Sequence, residues 1–188
     1  MQTRKTAPRE PNDGELARRA QTGDEAAIRE LVERYAETVF TAALSLLDER
    51  TDVEDVVQET LLGMLRGLPR FRHQASMKTW VYSILLRQTA RRHKQRRRIE
   101  APMTDEPADP ARENAGGDAR IDARIDIGAA LRTLSREHRE VIVLREFEGL
   151  RYHEISEALH VKIGTVESRL SRARRELRRR LAAYGPQG

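Results

Sequence analysis

The sequence predicts an all-α protein built of two small helical bodies. Three observations carry that expectation. Apolar residues recur at three- and four-residue steps along most of the chain, strand-type alternation is nearly absent, and the sparse Gly and Pro residues cluster between periodic segments. With 188 residues and 38% hydrophobic content, the chain fills two modest cores more readily than one large one.

Residues 1–12 are polar, lack an apolar h-region and read as an arm, not a secretory signal. The segment GELARRAQ is a short candidate helix, broken at Gly23-Asp24, and Thr22 to Glu25 has capping-box spacing. Ile28, Leu31, Val32, Tyr35, Val39 and Leu46 then share one side of a long amphipathic helix ending near Leu47. A second box, Thr51 to Glu54, opens a helix whose Val53, Val56, Val57, Leu61, Leu65 and Leu68 face a core, with Pro69 marking its end. After the polar connector FRHQA, Ser76 is placed to cap a fourth helix in which Trp80, Val81, Ile84 and Leu85 pack. A fully buried side chain of this kind contributes about 1.5–3 kcal/mol, so Trp80 is assigned to packing before ligand stacking. The helix runs into RRHKQRRR, Arg91 to Arg98, where no apolar face survives. That end projects into solvent or onto a polyanion.

Residues 99–126 are rich in Pro, Ala, Gly and Asp, with acids outnumbering bases, and read as a flexible acidic linker. The second body, 127–184, precedes a short tail, 185–188. It opens with a helix over Ile127 to Leu134, followed by a helix capped by Ser135 and reaching about Phe147. Glu148 to Leu150 turns the chain into YHEISEALH. Beyond Val161-Lys162, the final helix carries Val166, Leu170, Ala173, Leu177, Leu181 and Tyr184 as an apolar stripe, with Arg169, Arg172, Arg175 and Arg179 elsewhere on the wheel.

The formal net charge is +5, and the basic excess is gathered in Arg91 to Arg98 and Arg172 to Arg180. Such clustering favours a polyanionic partner, nucleic acid or an anionic membrane surface. No apolar run approaches the roughly 20 residues of a membrane span. Zero cysteines exclude disulfides, thiolate metal sites and cysteine nucleophiles. His153 and Glu154 are neighbours that point about 100° apart on a helix, so neither a metal site nor a cofactor is expected. P-loop, GxGxxG and GxSxG patterns are absent from the sequence, and nothing points to an enzyme.

Two helices joined by a short turn, the second long and basic, have helix-turn-helix form. In that geometry Thr165, Ser168, Arg169, Ser171 and Arg172 lie towards DNA, where arginine can contact guanine or phosphate. A plain helical hairpin with a solvated face has the same pattern. Four passages in one order raise the specificity: GDEAAIRELVERYA, DVEDVVQETLLGML, TWVYSIL, and EHREVIVLREFEGLRYHEISEALHVKIGTVESRLSRARREL. With them the chain resembles the extracytoplasmic-function (ECF) sigma factors, sigma-70-type specificity subunits of bacterial RNA polymerase, over about Glu15 to Leu181.

The resemblance implies a region 2 domain at 13–98, which binds the clamp helices of the largest polymerase subunit and captures the single-stranded minus-ten element. It implies a region 4 domain at 127–184, which reads the duplex minus-thirty-five element and touches the polymerase flap. Polymerase binding falls to an outward acidic face of Asp52, Asp55, Gln58 and Glu59. Minus-ten DNA falls to Phe71, Arg72, His73, Gln74, Ala75, Ser76 and Met77 of the connector, and to Lys78, Arg87, Arg91, Arg92 and Lys94. Minus-thirty-five DNA falls to Thr165, Glu167, Ser168, Arg169, Ser171, Arg172 and Arg175. It further implies a cytoplasmic bacterial protein with no catalytic residues, no cofactor and no membrane insertion. An anti-sigma factor is an expected partner, covering the polymerase-binding surfaces and able to hold the chain at the inner membrane.

Some positions depart from the family pattern. Arg87 stands where relatives have Asn beside the flipped base, so the preferred minus-ten sequence differs. Relatives have an aromatic residue at Met77, a Ser cap at Arg151, a Gly-like turn residue at His160, Ser at Lys162 and a basic residue at Glu167. Two readings compete: a dimeric helix-turn-helix operator binder, which leaves the acidic helix and the connector unused, and a nonspecific nucleic-acid-binding protein. An enzyme would need a pocket of perturbed acids that the sequence does not advertise.

Overall fold

The computed structural model describes residues 11–100 and 127–182, and every regular element among them is a helix. The polar arm and the acidic linker lie outside the described residues, apart from Pro11, Asn12 and the linker's first two positions. Helix α1 (Asp13–Gln21) starts at a reciprocal cap. Asn12 Oδ1 accepts from the Glu15 amide and Glu15 Oε2 from the Asn12 amide, each at 3.0 Å.

The chain turns at Gly23, whose φ of 90° suits a residue without Cβ. Helix α2 (Glu25–Leu46) is capped by Asp24, which accepts from the amides of Ala26 and Ala27. The Ala27 amide, aided by the Arg19 guanidinium, holds the Asp24 carboxyl below the usual carboxylate range. The box expected at Thr22 to Glu25 therefore does not form, and the Thr22 hydroxyl instead bonds back to the Arg19 carbonyl at 2.7 Å. Nor does the box at Thr51 to Glu54 form. Helix α3 (Arg50–Gly67) begins one residue before Thr51 and has no side-chain cap bond. Val53, Val56 and Met64 are buried on α3, whereas Val57, Leu61 and Leu65 are only half-buried.

A 3₁₀ turn (Leu68–Arg70) leads into the connector, and helix α4 (Met77–Glu100) follows. Ser76 caps α4 as expected, its Oγ accepting from the Thr79 amide at 3.0 Å. Every residue from Val81 to Leu86 is buried. A surface helix buries one stripe, so burial around a whole turn requires neighbours on all sides. Helices α1, α2 and α3 supply some of them and α7, from the second body, supplies the rest.

The second body comprises α5 (Ile127–Arg132), α6 (Arg136–Ile142), α7 (Tyr152–Leu159) and α8 (Ile163–Ala182). Ser135 caps α6. Between α6 and α7 the helix widens into a π turn (Val143–Phe147), where the Glu148 amide reaches the Val143 carbonyl at 3.1 Å. Leu131, Val141, Leu144, Ile155, Val166, Leu170 and Ala173 form this body's core. The bodies touch along α4 and α7, and along α2 with α5 and α6.

Candidate nucleic-acid interface

The connector between α3 and α4 is held from two directions. Gln21, at the end of α1, donates through Nε2 to the carbonyls of Leu68 (3.1 Å) and Phe71 (2.7 Å), and its Oε1 lies 3.1 Å from His73 Nε2. The Phe71 ring stacks on Trp80 at 4.7 Å and tilts against His73 at 4.6 Å. His73 has φ 55°, a left-handed conformation that costs a non-glycine residue about 1 kcal/mol or more. The loop is thus fixed in an unfavourable backbone shape by contacts on both flanks.

Two clefts flank the ring stack. One, of about 580 Å³, lies between the start of α1 and the connector, and Phe71, His73, Ala75, Ser76, Met77 and Lys78 line it together with Asp13 and Arg34. The other, of about 530 Å³, is framed by Gly63, Gly67, Arg70, Trp80, Arg87 and Arg91. Guanidinium groups around an indole suit a planar base and its phosphates. Arg70, Gln21 and Arg34 were not singled out from sequence. Only the basic character of Arg70 beside the connector could have flagged it.

The expected minus-ten residues divide by burial. Arg72, His73, Gln74, Arg87, Arg91 and Lys94 are exposed, and Ala75 and Lys78 half-buried. Phe71 and Met77 are buried and build the wall, while the Ser76 hydroxyl is engaged by Thr79. Trp80 packs on the core, as expected, and one side of it also lines the second cleft. Arg92 turns away from the clefts and pairs with Asp52 at 2.7 Å and Asp55 at 3.2 Å.

The acidic face of α3 also divides. Asp55, Gln58 and Glu59 are exposed, but Asp52 is buried at 5% exposure and is held by Arg92 and Arg96. The expectation that Asp52 faces outward is corrected: α4 brings its basic end over the start of α3. In the basic run Arg91 to Arg98, Arg92 and Arg96 lie against the carboxylates of α3 instead of projecting into solvent, whereas Arg91, Lys94, Gln95, Arg97 and Arg98 are exposed as expected.

In the second body, Glu167, Ser168, Ser171, Arg172 and Arg175 are exposed on α8, and Thr165 and Arg169 half-buried. Val166, Leu170 and Ala173 pack beneath them. At Arg151, Glu154 reaches back to the Arg151 amide at 2.8 Å, but arginine has no acceptor to complete the box. His160 adopts φ 53° where glycine would be unstrained, and the Ser156 hydroxyl bonds to the Val161 carbonyl at 2.6 Å across the turn.

Glu140, on α6, is buried within 3.5 Å of Arg136. Burial pushes its carboxyl up to about 7, against the opposing pull of Arg136 and Arg169 and with added repulsion from Glu137. The folded chain therefore holds this proton more tightly than the unfolded chain, and the associated stability is lost as pH rises from the unfolded value through about 7. Glu140→Gln is expected to raise stability by about 1–3 kcal/mol at pH 8 and not at pH 4. Thermal unfolding of both proteins across that pH range measures the effect.

Among the described residues, no group of three His, Cys, Asp or Glu side chains is placed to hold a metal ion. No described helix is long and apolar enough to cross a membrane. Residues 31–99 match the family model for sigma-70 region 2, and residues 124–177 match that for sigma-70 region 4. The chain is similar to the ECF RNA polymerase sigma factor SigE of Mycolicibacterium smegmatis, 38% identical over 87% of this chain and 66% of that protein. It is also similar to the RNA polymerase sigma-H factor of Pseudomonas aeruginosa, 32% identical over 86% of this chain and 90% of that one. In structure it is similar to CnrH in complex with the cytosolic domain of CnrY, with TM-score 0.65, 27% identity, and coverage of 89% and 96%. It is likewise similar to the sigma factor RpoE in complex with the anti-sigma factor NepR from Bartonella quintana, with TM-score 0.67, 25% identity, and coverage of 82% and 96%.

Proposed function

Because the chain belongs to the extracytoplasmic-function sigma factors of the sigma-70 family, we propose that it binds core RNA polymerase, brings it to specific promoters and helps open them. The observation that carries this reading is the coexistence, in one chain, of an arginine-framed aromatic cleft and a helix-turn-helix with an exposed basic row. The first suits unpaired bases and the second suits intact duplex. A simple operator-binding dimer would need only the second.

In this reading Asp55, Gln58 and Glu59 meet basic residues of the clamp. The connector and Arg87 hold a base drawn from the minus-ten strand. Extrusion costs a few kcal/mol, offset by stacking and hydrogen bonds within the pocket. Arg70, Arg91 and Lys94 hold backbone phosphates, which orient the strand without reading it. Exposed residues of α8 read the minus-thirty-five duplex. The protein performs no chemistry and shifts the melting equilibrium by its differential affinity for the open strand. RpoE was captured with the anti-sigma factor NepR and CnrH with the cytosolic domain of CnrY, and a comparable anti-sigma partner is proposed here.

Mobility-shift assays with and without core polymerase test the reading. The free protein is expected to bind promoter duplex weakly, and a promoter-specific complex is expected only with core. Tight, operator-specific binding by the free protein would reject it.

A further inference from the structure

We infer that His73 determines base specificity in the first cleft, its Nδ1 accepting a hydrogen bond from the exocyclic amino group of adenine or cytosine, and that Gln21 positions it by keeping that atom an acceptor. This inference rests on the proposed function and names what the connector reads. Gln21 fixes the state of the ring. Its Nε2 lies 3.1 Å from the Leu68 carbonyl and 2.7 Å from the Phe71 carbonyl. Two acceptors at one end of an amide require the NH2 group there, since the flipped amide would set its oxygen against both carbonyl oxygens. Oε1 is therefore the atom 3.1 Å from His73 Nε2, and an oxygen that only accepts requires the imidazole to donate. Neutral His73 thus carries its proton on Nε2, which leaves Nδ1 with a lone pair.

Nδ1 is also the side-chain acceptor that the cleft leaves unengaged. Asn12 Oδ1 accepts from the Glu15 amide. One carboxylate oxygen of Asp13 accepts from Arg34 at 2.8 Å and the other from the Tyr35 hydroxyl. The Ser76 hydroxyl is taken by the side chain and amide of Thr79. Arg34 and Lys78 can only donate, and both already do so within the protein. Among the described residues, His73 Nδ1 has no partner. Because Nε2 is turned to Gln21, which does not line the cleft, Nδ1 is the polar atom that the ring offers there.

The ring is held before any base arrives. Gln21 grips one edge, Phe71 lies against it at 4.6 Å, and the left-handed backbone at φ 55° sets its direction. A side chain fixed in advance loses little further freedom on binding. Adenine carries an amino group at N6 and cytosine at N4, where guanine has O6 and thymine O4. The amino group satisfies Nδ1. A keto oxygen at that place meets a lone pair and leaves both acceptors unpaired, which discriminates more strongly than shape alone. The cleft of about 580 Å³ is roomy enough for a small planar ligand, and buried Phe71 and Met77 give it an apolar wall. Arg87 lines the second cleft, so reading by His73 is separable from any by Arg87.

Core polymerase loaded with the full chain transcribes a barcoded DNA library randomised across both promoter elements, and sequenced transcripts give the base preference at each position. The unaltered chain is expected to favour adenine or cytosine about tenfold over guanine or thymine at one minus-ten position. His73→Phe keeps a ring against Phe71 without the acceptor and is expected to flatten that position alone. His73→Lys, which offers only donors, is expected to favour guanine or thymine there. Gln21→Leu releases the ring and is expected to flatten the same position. A preference for adenine or cytosine that survives His73→Phe, or an even loss of output at all positions, overturns the proposal, and one that survives Gln21→Leu removes the positioning role. Should His73→Phe yield no transcripts, His73→Gly, which suits φ 55° without strain, decides: an unchanged preference overturns the proposal. If the unaltered chain yields no core-dependent transcripts, the sigma reading fails and the base assignment falls with it. Nitrogen-15 shifts of the imidazole in the full chain then test the Gln21 contact by itself, and a proton on Nδ1 instead of Nε2 overturns it.

Discussion

Replacing Asp55 and Glu59 with lysine is expected to lower affinity for core polymerase by more than about 100-fold while leaving helicity unchanged. The two carboxylates are exposed, with the Asp55 side chain at 62%. Asp55 makes an ion pair with Arg92 at 3.2 Å, and an exposed pair of this kind contributes at most about 1 kcal/mol. The fold therefore survives reversal. In the proposed contact with basic residues of the clamp, reversal turns two attractions into two repulsions, and binding is expected to fail while the fold holds. Asp52→Asn is the informative contrast. Asp52 is buried between Arg92 and Arg96, so its loss weakens the packing of α3 on α4 and shows in unfolding before it shows in binding. Titration of core polymerase with labelled protein reads the first effect and chemical denaturation the second. Undiminished core affinity in the reversal variant would remove Asp55 and Glu59 from the polymerase interface.

The contrast between Asp52 and Asp55 marks the boundary of what the sequence makes legible. Helical periodicity located α1 to α8, because most of these helices bury an apolar stripe and stripe residues repeat at fixed steps. The same logic assigns every polar residue between stripes to solvent. Asp52 escapes that rule through arginines 40 and 44 residues away, a tertiary partner that no local pattern encodes. The expected caps at Ser76 and Ser135 form, but the two expected capping boxes fail for a related reason. Thr22 and Thr51 have the right spacing to a later glutamate, but Asp24 lies closer to the true start of α2, and α3 begins ahead of Thr51. The reciprocal box that does form at a helix start, Asn12 with Glu15, sits in a Pro- and Gly-flanked stretch that reads as loop. The π turn is invisible in the pattern, since its apolar residues also satisfy α-helical spacing. At the candidate site, the connector and the α8 row were legible from residue type and order. Gln21 and Gly67 were not, because one acts through backbone carbonyls and the other through the absence of a side chain.

Gly67→Ala is expected to reduce affinity for single-stranded minus-ten DNA by about 30-fold, equivalent to about 2 kcal/mol, with duplex minus-thirty-five binding by the second body unchanged. A Cβ built on Gly67 would lie 2.8 Å from Trp80 Cζ2 and 3.3 Å from Cη2, closer than packed carbon atoms allow. The backbone itself accepts alanine, since Gly67 has φ −85° and ψ −21° and alanine favours helix by up to about 1 kcal/mol over glycine. The cost therefore falls on the indole, and overpacking of this size costs about 1–3 kcal/mol. Trp80 cannot move alone. Phe71 stacks on it at 4.7 Å, and the Phe71 carbonyl is tied to Gln21 at 2.7 Å, so displacement of one ring disturbs both clefts and the connector. Trp80 is the chain's sole tryptophan, which makes its fluorescence a direct report of that displacement. A red-shifted emission accompanied by weakened strand binding is the expected pair of results. Adding Trp80→Phe to Gly67→Ala relieves the clash with a smaller ring and is expected to recover part of the lost affinity. A red shift with full strand affinity would show that the ring stack is core alone, and would move the unpaired strand away from these clefts.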